Sequence, residues 1–317
     1  MIKQGHDFIR IFSPATVANV GCGFDVFAFA LNIPGDEIHL SIKSGTGVEI
    51  GEITGSSSLP LDINHNTASV SVSAMLRYLN ADFGIRLSVH KKMPIRSGLG
   101  SSAASAVGSV FALNQLLESK LPNDMLLKFA IEGEKIACGK NIHFDNSAAC
   151  LYGGFVLVRS ENPLDVISIP VPESLHCVIL HPQIEINTSE SRKLLPEQVS
   201  LVQAITQWSN TAAVVAALYK SDYELLKRSI TDPIIEPARA KQIPYFYGLR
   251  DTALNSGAVG CGISGSGPAV FALADSYESA NTICDKMTGY YKPNNIPFET
   301  FISKINHLGP KILDNSY

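Results

Sequence analysis

Apolar and polar residues alternate with period two over Glu37–Ile42 and Gly84–Lys91, and such alternation predicts strands with one buried face. Apolar positions three and four apart over Ala68–Leu79 and Ser102–Leu117 predict helices between and after them. The second half carries longer helical patterns at Gln198–Tyr219 and Tyr223–Ser229. A glycine-rich segment, Gly257–Gly267, and a short apolar strand at Val270–Ala274 come next. Ser160–Pro172, with its recurring prolines, reads as a loop between the halves, yet no proline-, serine- or charge-dense tract marks a free linker. The pattern predicts two tightly packed α+β units without internal repeats.

Composition narrows what such a chain does. With 317 residues, 45% hydrophobic and 17% charged, it can bury one large core or two moderate ones. Its 25 basic and 29 acidic side chains leave a net charge of −4, so no nucleic-acid or anionic-membrane surface is expected. Six cysteines are scattered singly, without zinc or redox spacing, and read as reduced core residues. No apolar run approaches the length of a membrane span, and Lys3, His6, Asp7 and Arg10 interrupt the first twenty residues, so a cytoplasmic protein is expected.

The segment richest in chemistry is Met93–Ser105, which leaves a predicted strand and opens a predicted helix. Gly98 and Gly100 let the backbone approach a ligand without a Cβ, so successive N–H groups at the positive end of a helix can face phosphate oxygens. Ser101 and Ser102 either cap this helix or place a hydroxyl on a magnesium ion carried by a nucleotide. Gly98, Gly100 and Ala103 also fit a dinucleotide fingerprint, but Glu118 falls at a helix end, where that motif requires an acid closing a second strand. Arg86–Lys92 is moreover too polar for a doubly buried parallel strand. Gly260–Gly265 fits the same fingerprint after a helix and before a strand, the reverse of the required order. No Walker loop is present.

Pro14–Asp25, Pro94–Ala104, Glu132–Gly139 with His143–Asn146, Gly153–Phe155, and Gly260–Pro268 occur in one order along the chain. Together they resemble the motifs of the GHMP small-molecule kinases. The resemblance implies a ribosomal-protein-S5-like N-terminal domain over residues 1–165 and a ferredoxin-like C-terminal domain over 166–317. It implies ATP as phosphoryl donor with Mg2+, held by Ser102 and Glu134. Pro94, Ser97, Gly98, Leu99, Gly100, Ser101, Ser102 and Ala103 would lie along the phosphates, with Asn66 and Gly265 also toward the nucleotide.

In the branch of the family nearest in pattern the acceptor is L-homoserine, phosphorylated on its side-chain hydroxyl. Asn19, Asp25, His143, Thr188, Arg192, Arg239 and Gly262 are the implied substrate contacts. An amino acid needs an anion for its ammonium and guanidinium forks for its carboxylate, and Asp25 with Arg192 and Arg239 has that polarity. Asn146 stands where mevalonate-type relatives carry a catalytic aspartate. It cannot act as a base, so the hydroxyl proton passes to the γ-phosphate, with His143 or Asp145 orienting the hydroxyl, or else Asp145 is itself the base. A homodimer is implied by the resemblance alone. A mevalonate- or shikimate-like alcohol is the alternative substrate, and a non-catalytic ligand-binding relative the alternative class. Taken singly, these side chains have ordinary readings: Asp25 as a cap, Glu134 on an exposed helix face, Arg192 paired with Glu190 or Asp232, His143 closing a turn.

Overall fold

The computed structural model describes residues 1–56, 59–138 and 144–314 and, for Cys138, Thr188 and Ser189, the backbone only. The first unit opens with β1 (Phe8–Ala18), β2 (Phe27–Lys43) and β3 (Gly47–Thr54), then α1 (Thr67–Leu79), β4 (Gly84–His90), α2 (Ser101–Leu116), α3 (Asn123–Cys138) and α4 (Phe144–Tyr152). It continues through β5 (Phe155–Glu161) and β6 (Leu164–Ile169). The second unit runs β7 (His176–Pro182), α5 (Thr188–Lys193), α6 (Leu201–Lys220), α7 (Tyr223–Ser229), α8 (Glu236–Arg239) and α9 (Phe246–Asn255). It closes with β8 (Gly260–Ile263), β9 (Val270–Ala274), α10 (Tyr277–Tyr291) and β10 (Phe298–Lys304), before β11 (Lys311–Asp314) ends the described chain.

Strands β11, β1, β2, β4 and β3 form one sheet in that order, with the β5–β6 hairpin attached to β2. Strand β4 is antiparallel to β2, the opposite of what a dinucleotide-binding unit requires. The second sheet has the order β10, β7, β9, β8. A boundary at residue 165 falls within β6, and β11 returns to the first sheet, so both ends of the chain build the first unit.

The two units share a core because the strands between them are apolar on both faces. All seven residues of β7 are buried. Since side chains alternate across a strand, Cys177 and Ile179 enter the large core with Phe27, Phe29 and Leu113, while Val178 and Leu180 enter a second core with Phe246, Ile283 and Tyr291. The rings of Phe29 and Phe271 meet edge to face at 6.4 Å between the sheets. The tight packing expected from the absence of a linker is therefore built from continuous apolar burial.

The sequence reading differs from the structure in several places, of which three are instructive. Residues 160–172 are largely the β5–β6 hairpin: Asn162 and Pro163 make its turn, and the exposed face of β6 gave its alternation a polar, loop-like cast. Strand β1 was missing, although Ile9, Ile11, Ala15 and Val17 are its buried alternate positions. Gly260–Ile263 is itself a strand, so its glycine run turns only after Ile263. Among the described residues no helix is long and apolar enough to cross a membrane.

Candidate active site

Helix α2 begins at a glycine because its approach is too crowded for a side chain. Gly100, at the cap position, has φ +67°, and a Cβ there would lie 2.1 Å from the Thr16 hydroxyl oxygen and 2.9 Å from Oδ1 of Asn146. Gly98 has φ +82°, and its Cβ would lie 2.2 Å from the Ser264 carbonyl oxygen. No side chain caps α2 by a hydrogen bond, so neither Ser101 nor Ser102 is the cap that an ordinary helix start would make of it. The first turn of a sixteen-residue helix thus presents its N–H groups and the positive end of its dipole to a cleft of about 470 Å³.

The cleft gathers most of the residues singled out in the sequence. Asn19, Asn66, Ser97, Gly98, Gly100, Ser101, Ser102, Ala103, Glu134, Asp145, Asn146, Arg192, Arg239 and Gly265 line it. Pro94, Leu99, Asp25 and Gly262 do not. Pro94 accepts the Ser97 hydroxyl at 2.7 Å; Leu99 is buried in the core, and its carbonyl accepts the Thr16 N–H at 3.0 Å. Gly262 lies in β8, where a Cβ would press on the Phe271 ring at 3.2 Å. His143 lies outside the described residues, as does the side chain of Thr188. Asn66 caps α1 by accepting from the N–H groups of Ala68 and Ser69.

Beside the first turn of α2, Ser102 donates to Oε2 of Glu134 at 3.1 Å, and Glu134, brought by α3, is 2% exposed rather than on a solvated helix face. A buried carboxylate and a hydroxyl, both oxygen donors, suit a hard divalent cation. Among the described residues no group of three or more His, Cys, Asp or Glu side chains could cage a metal, so such a cation would take its remaining ligands from phosphate and water. Behind the same turn, Lys91 pairs with Asp36 and donates to the Ser101 carbonyl at 2.8 Å and the Ser105 hydroxyl at 3.2 Å. Sequence reasoning passed over this buried cation, whose one signal was a charge at the end of an alternating strand.

Helix α4 presents Asp145 and Asn146 in its first turn. The Thr16 hydroxyl donates to Oδ1 of Asn146 at 2.6 Å, and Oδ1 of Asp145 accepts the Asn146 N–H at 2.8 Å. Thr16 was also missed as a site residue, although it stands inside the Pro14–Asp25 motif.

At the far end, the Asn19 side chain accepts the Asp25 N–H at 3.1 Å and donates to the Gly265 carbonyl at 2.8 Å. Arg239 donates to that carbonyl at 2.6 Å, and Arg192 pairs with Asp25, not with Glu190 or Asp232, at 2.7 Å. Burial lowers the Arg239 guanidinium to about 10, opposed by the Asp25 carboxylate, which still leaves it charged at neutral pH. Burial pushes the nearby Cys22 thiol up to about 11, which removes it as a nucleophile.

A helix start facing a cleft, a buried acid beside it, and two arginines at the far end with Asp25 paired to one of them suit a small-molecule phosphotransferase. Residues 66–154 match the GHMP kinases N terminal domain and residues 214–293 the GHMP kinases C terminal. The chain is 41% identical to a homoserine kinase of Chlorobium phaeobacteroides, over 95% of this chain and 98% of that one. It is 42% identical to a homoserine kinase of Chloroherpeton thalassium, over 95% and 98%. The crystal structure of homoserine kinase from Cytophaga hutchinsonii superimposes with a TM-score of 0.95 at 48% identity, over 99% of both chains. The chain belongs to the GHMP kinase family and, within it, to the homoserine kinases.

Proposed function

We propose that the cleft transfers the γ-phosphoryl group of ATP to the side-chain hydroxyl of L-homoserine, giving O-phospho-L-homoserine and ADP, a step toward threonine. One observation carries the reading. An uncapped helix N-terminus with Ser102 and Glu134 lies in the same cleft as Asn19, Arg192 and Arg239, with Asp25 bound to Arg192 at its edge. Phosphoryl transfer asks mainly for held phosphates, neutralised charge and an aligned acceptor. The N–H groups after Gly98 and Gly100 hold the phosphates, with Ser97 and Ser101 along them and Asn66 toward the nucleotide. Ser102 and Glu134 hold Mg2+, which when bound neutralises charge on the phosphates.

The substrate carboxylate meets Arg192 and Arg239, and its ammonium meets Asp25. The pair joining Arg192 and Asp25 opens to admit both charges of a zwitterion. Asn146, fixed by Thr16 and by Asp145, orients the acceptor hydroxyl, and the proton leaves to the γ-phosphate without a protein base. Oδ1 of Asp145 accepts the Asn146 N–H, which sets the position of the aligning amide. The proposal also takes the enzyme to be cytoplasmic and homodimeric, the latter open to sedimentation equilibrium.

A coupled ADP-release assay with Mg-ATP and L-homoserine, D-homoserine, L-serine, L-threonine, mevalonate and shikimate tests the assignment. Turnover confined to L-homoserine is expected. Preference for mevalonate or shikimate would keep the phosphate loop but overturn the amino-acid pocket, and silence on all six would overturn catalysis.

A further inference from the structure

Arg192 and Arg239 come from separate helices, α5 and α8, and as like charges they repel, so that Arg192 disfavours the protonated form of Arg239. Beside both lies Phe24, which stands inside the Pro14–Asp25 motif but to which the site reading gave no role. The Cζ of Arg192 lies 5.2 Å from the centroid of the Phe24 ring and that of Arg239 5.1 Å from it. An aromatic face attracts guanidinium groups at this range.

The loop that carries the ring is held firmly. Asn19, Val20 and Asp25 all have positive φ, at 71°, 43° and 59°, so the loop around Phe24 is bent into conformations that L-residues adopt only under constraint. The constraint is visible. Asn19 bridges the Asp25 N–H and the Gly265 carbonyl, while Gln207 and Thr211 of α6 donate to the Cys22 carbonyl at 2.9 and 3.1 Å. At Gly23 a Cβ would fall 2.1 Å from the Phe27 ring, which fixes how the chain enters Phe24.

We infer that Phe24 is a positioning residue for substrate recognition: its ring holds the Arg192 and Arg239 guanidinium groups together so that one carboxylate can engage both. The inference rests on the amino-acid reading of the cleft. Removing the ring while keeping apolar bulk should therefore weaken carboxylate recognition and spare the phosphate end. For Phe24→Leu, KM for L-homoserine should rise about tenfold, as expected for the loss of two partly buried cation–π contacts, while kcat and the KM for ATP change less than about twofold. Phe24→Tyr retains the ring and should behave as wild type.

The discriminating readout uses 3-aminopropan-1-ol, which is homoserine without its carboxylate. Its kcat/KM should be unchanged by Phe24→Leu, so that the preference for L-homoserine over this alcohol falls about tenfold. Phe24→Met repeats the test if melting temperatures show that leucine compromises folding. A wild-type KM in the ring-deleted enzymes, or an equal loss on both alcohols, overturns the role of Phe24 and leaves the reading of the cleft standing. A wild-type enzyme that ignores L-homoserine overturns both.

Discussion

The hydroxyl of Thr16 donates to Oδ1 of Asn146 at 2.6 Å although 130 residues separate them, and the absent Cβ of Gly100 leaves room for that bond. The pair ties the first strand, the phosphate loop and α4 together where the acceptor hydroxyl would stand. Thr16→Val keeps the shape and deletes the donor, leaving the half-buried Asn146 amide with the weaker restraint of its Nδ2 contact to Asp145 at 3.4 Å. We expect kcat to fall about 10- to 100-fold with both KM values nearly constant, since misplacing an aligning group by about 1 Å costs rate of that order. Steady-state kinetics with each substrate varied in turn would check this, and an unchanged kcat would remove Thr16 from the alignment.

How much of this was legible in the chain depends on how local the signal is. The glycine loop that opens α2 could be read directly, because Gly98 and Gly100 punctuate a strand-to-helix junction within a few residues. Asp25, Glu134, Arg192 and Arg239 were reached only through resemblance, since each taken alone reads in the sequence as an ordinary surface charge. Thr16, Lys91 and Phe24 were not singled out. Their importance lies in partners such as Asn146, Asp36 and the two arginines, which only the folded chain brings near. The β5–β6 hairpin escaped for the opposite reason: its half-exposed β6 carries too little apolar alternation to stand out from a loop.

The proposed metal site at Ser102 and Glu134 predicts a second loss of rate with a different signature. Glu134→Gln keeps the hydrogen-bond geometry toward Ser102 but removes the negative charge. We expect kcat at fixed magnesium to fall about 100-fold, and the magnesium concentration for half-maximal rate to rise by a comparable factor. Titrating MgCl2 at saturating ATP separates this from a folding defect, which added magnesium would not rescue.

Two glycines should respond oppositely to the same substitution. At Gly98 an alanine Cβ meets the Ser264 carbonyl at 2.2 Å in a left-handed backbone, so Gly98→Ala should destabilise the fold by roughly 2–4 kcal/mol and raise the KM for ATP. Gly289, exposed within α10, has nothing within 4 Å of its absent Cβ, so Gly289→Ala should stabilise by roughly 0.5–1 kcal/mol through helix propensity. Urea denaturation of both variants beside wild type provides the comparison, and equal responses would mean that the close approach of Gly98 to the second unit is not constraining.

Arg239 tests the acceptor end. It is 3% exposed, and its guanidinium both donates to the Gly265 carbonyl and would meet the substrate carboxylate. Arg239→Leu should raise the KM for L-homoserine about 10- to 100-fold, the range for a lost charge-assisted hydrogen bond, and leave the KM for ATP within about twofold. Equal weakening of both substrates would deny it a specific role in binding the acceptor.

Glu236 opens the short helix that carries Arg239, and burial raises its carboxyl to about 7 although Arg250 donates to it at 2.5 Å and pulls the other way. Between the ordinary value of 4.5 and about 7, the unfolded chain releases this proton while the folded chain keeps it. The unfolded state then binds fewer protons, so this group makes stability fall as pH rises through that window and adds no further slope above it. Glu236→Gln cannot titrate. The unfolding free energy of wild type minus that of the variant should therefore decline by roughly 2–3 kcal/mol from pH 4.5 to 7.5. Urea denaturation at half-unit pH steps measures the difference directly. A flat difference would mean that the Arg250 ion pair outweighs burial and keeps Glu236 ionised throughout.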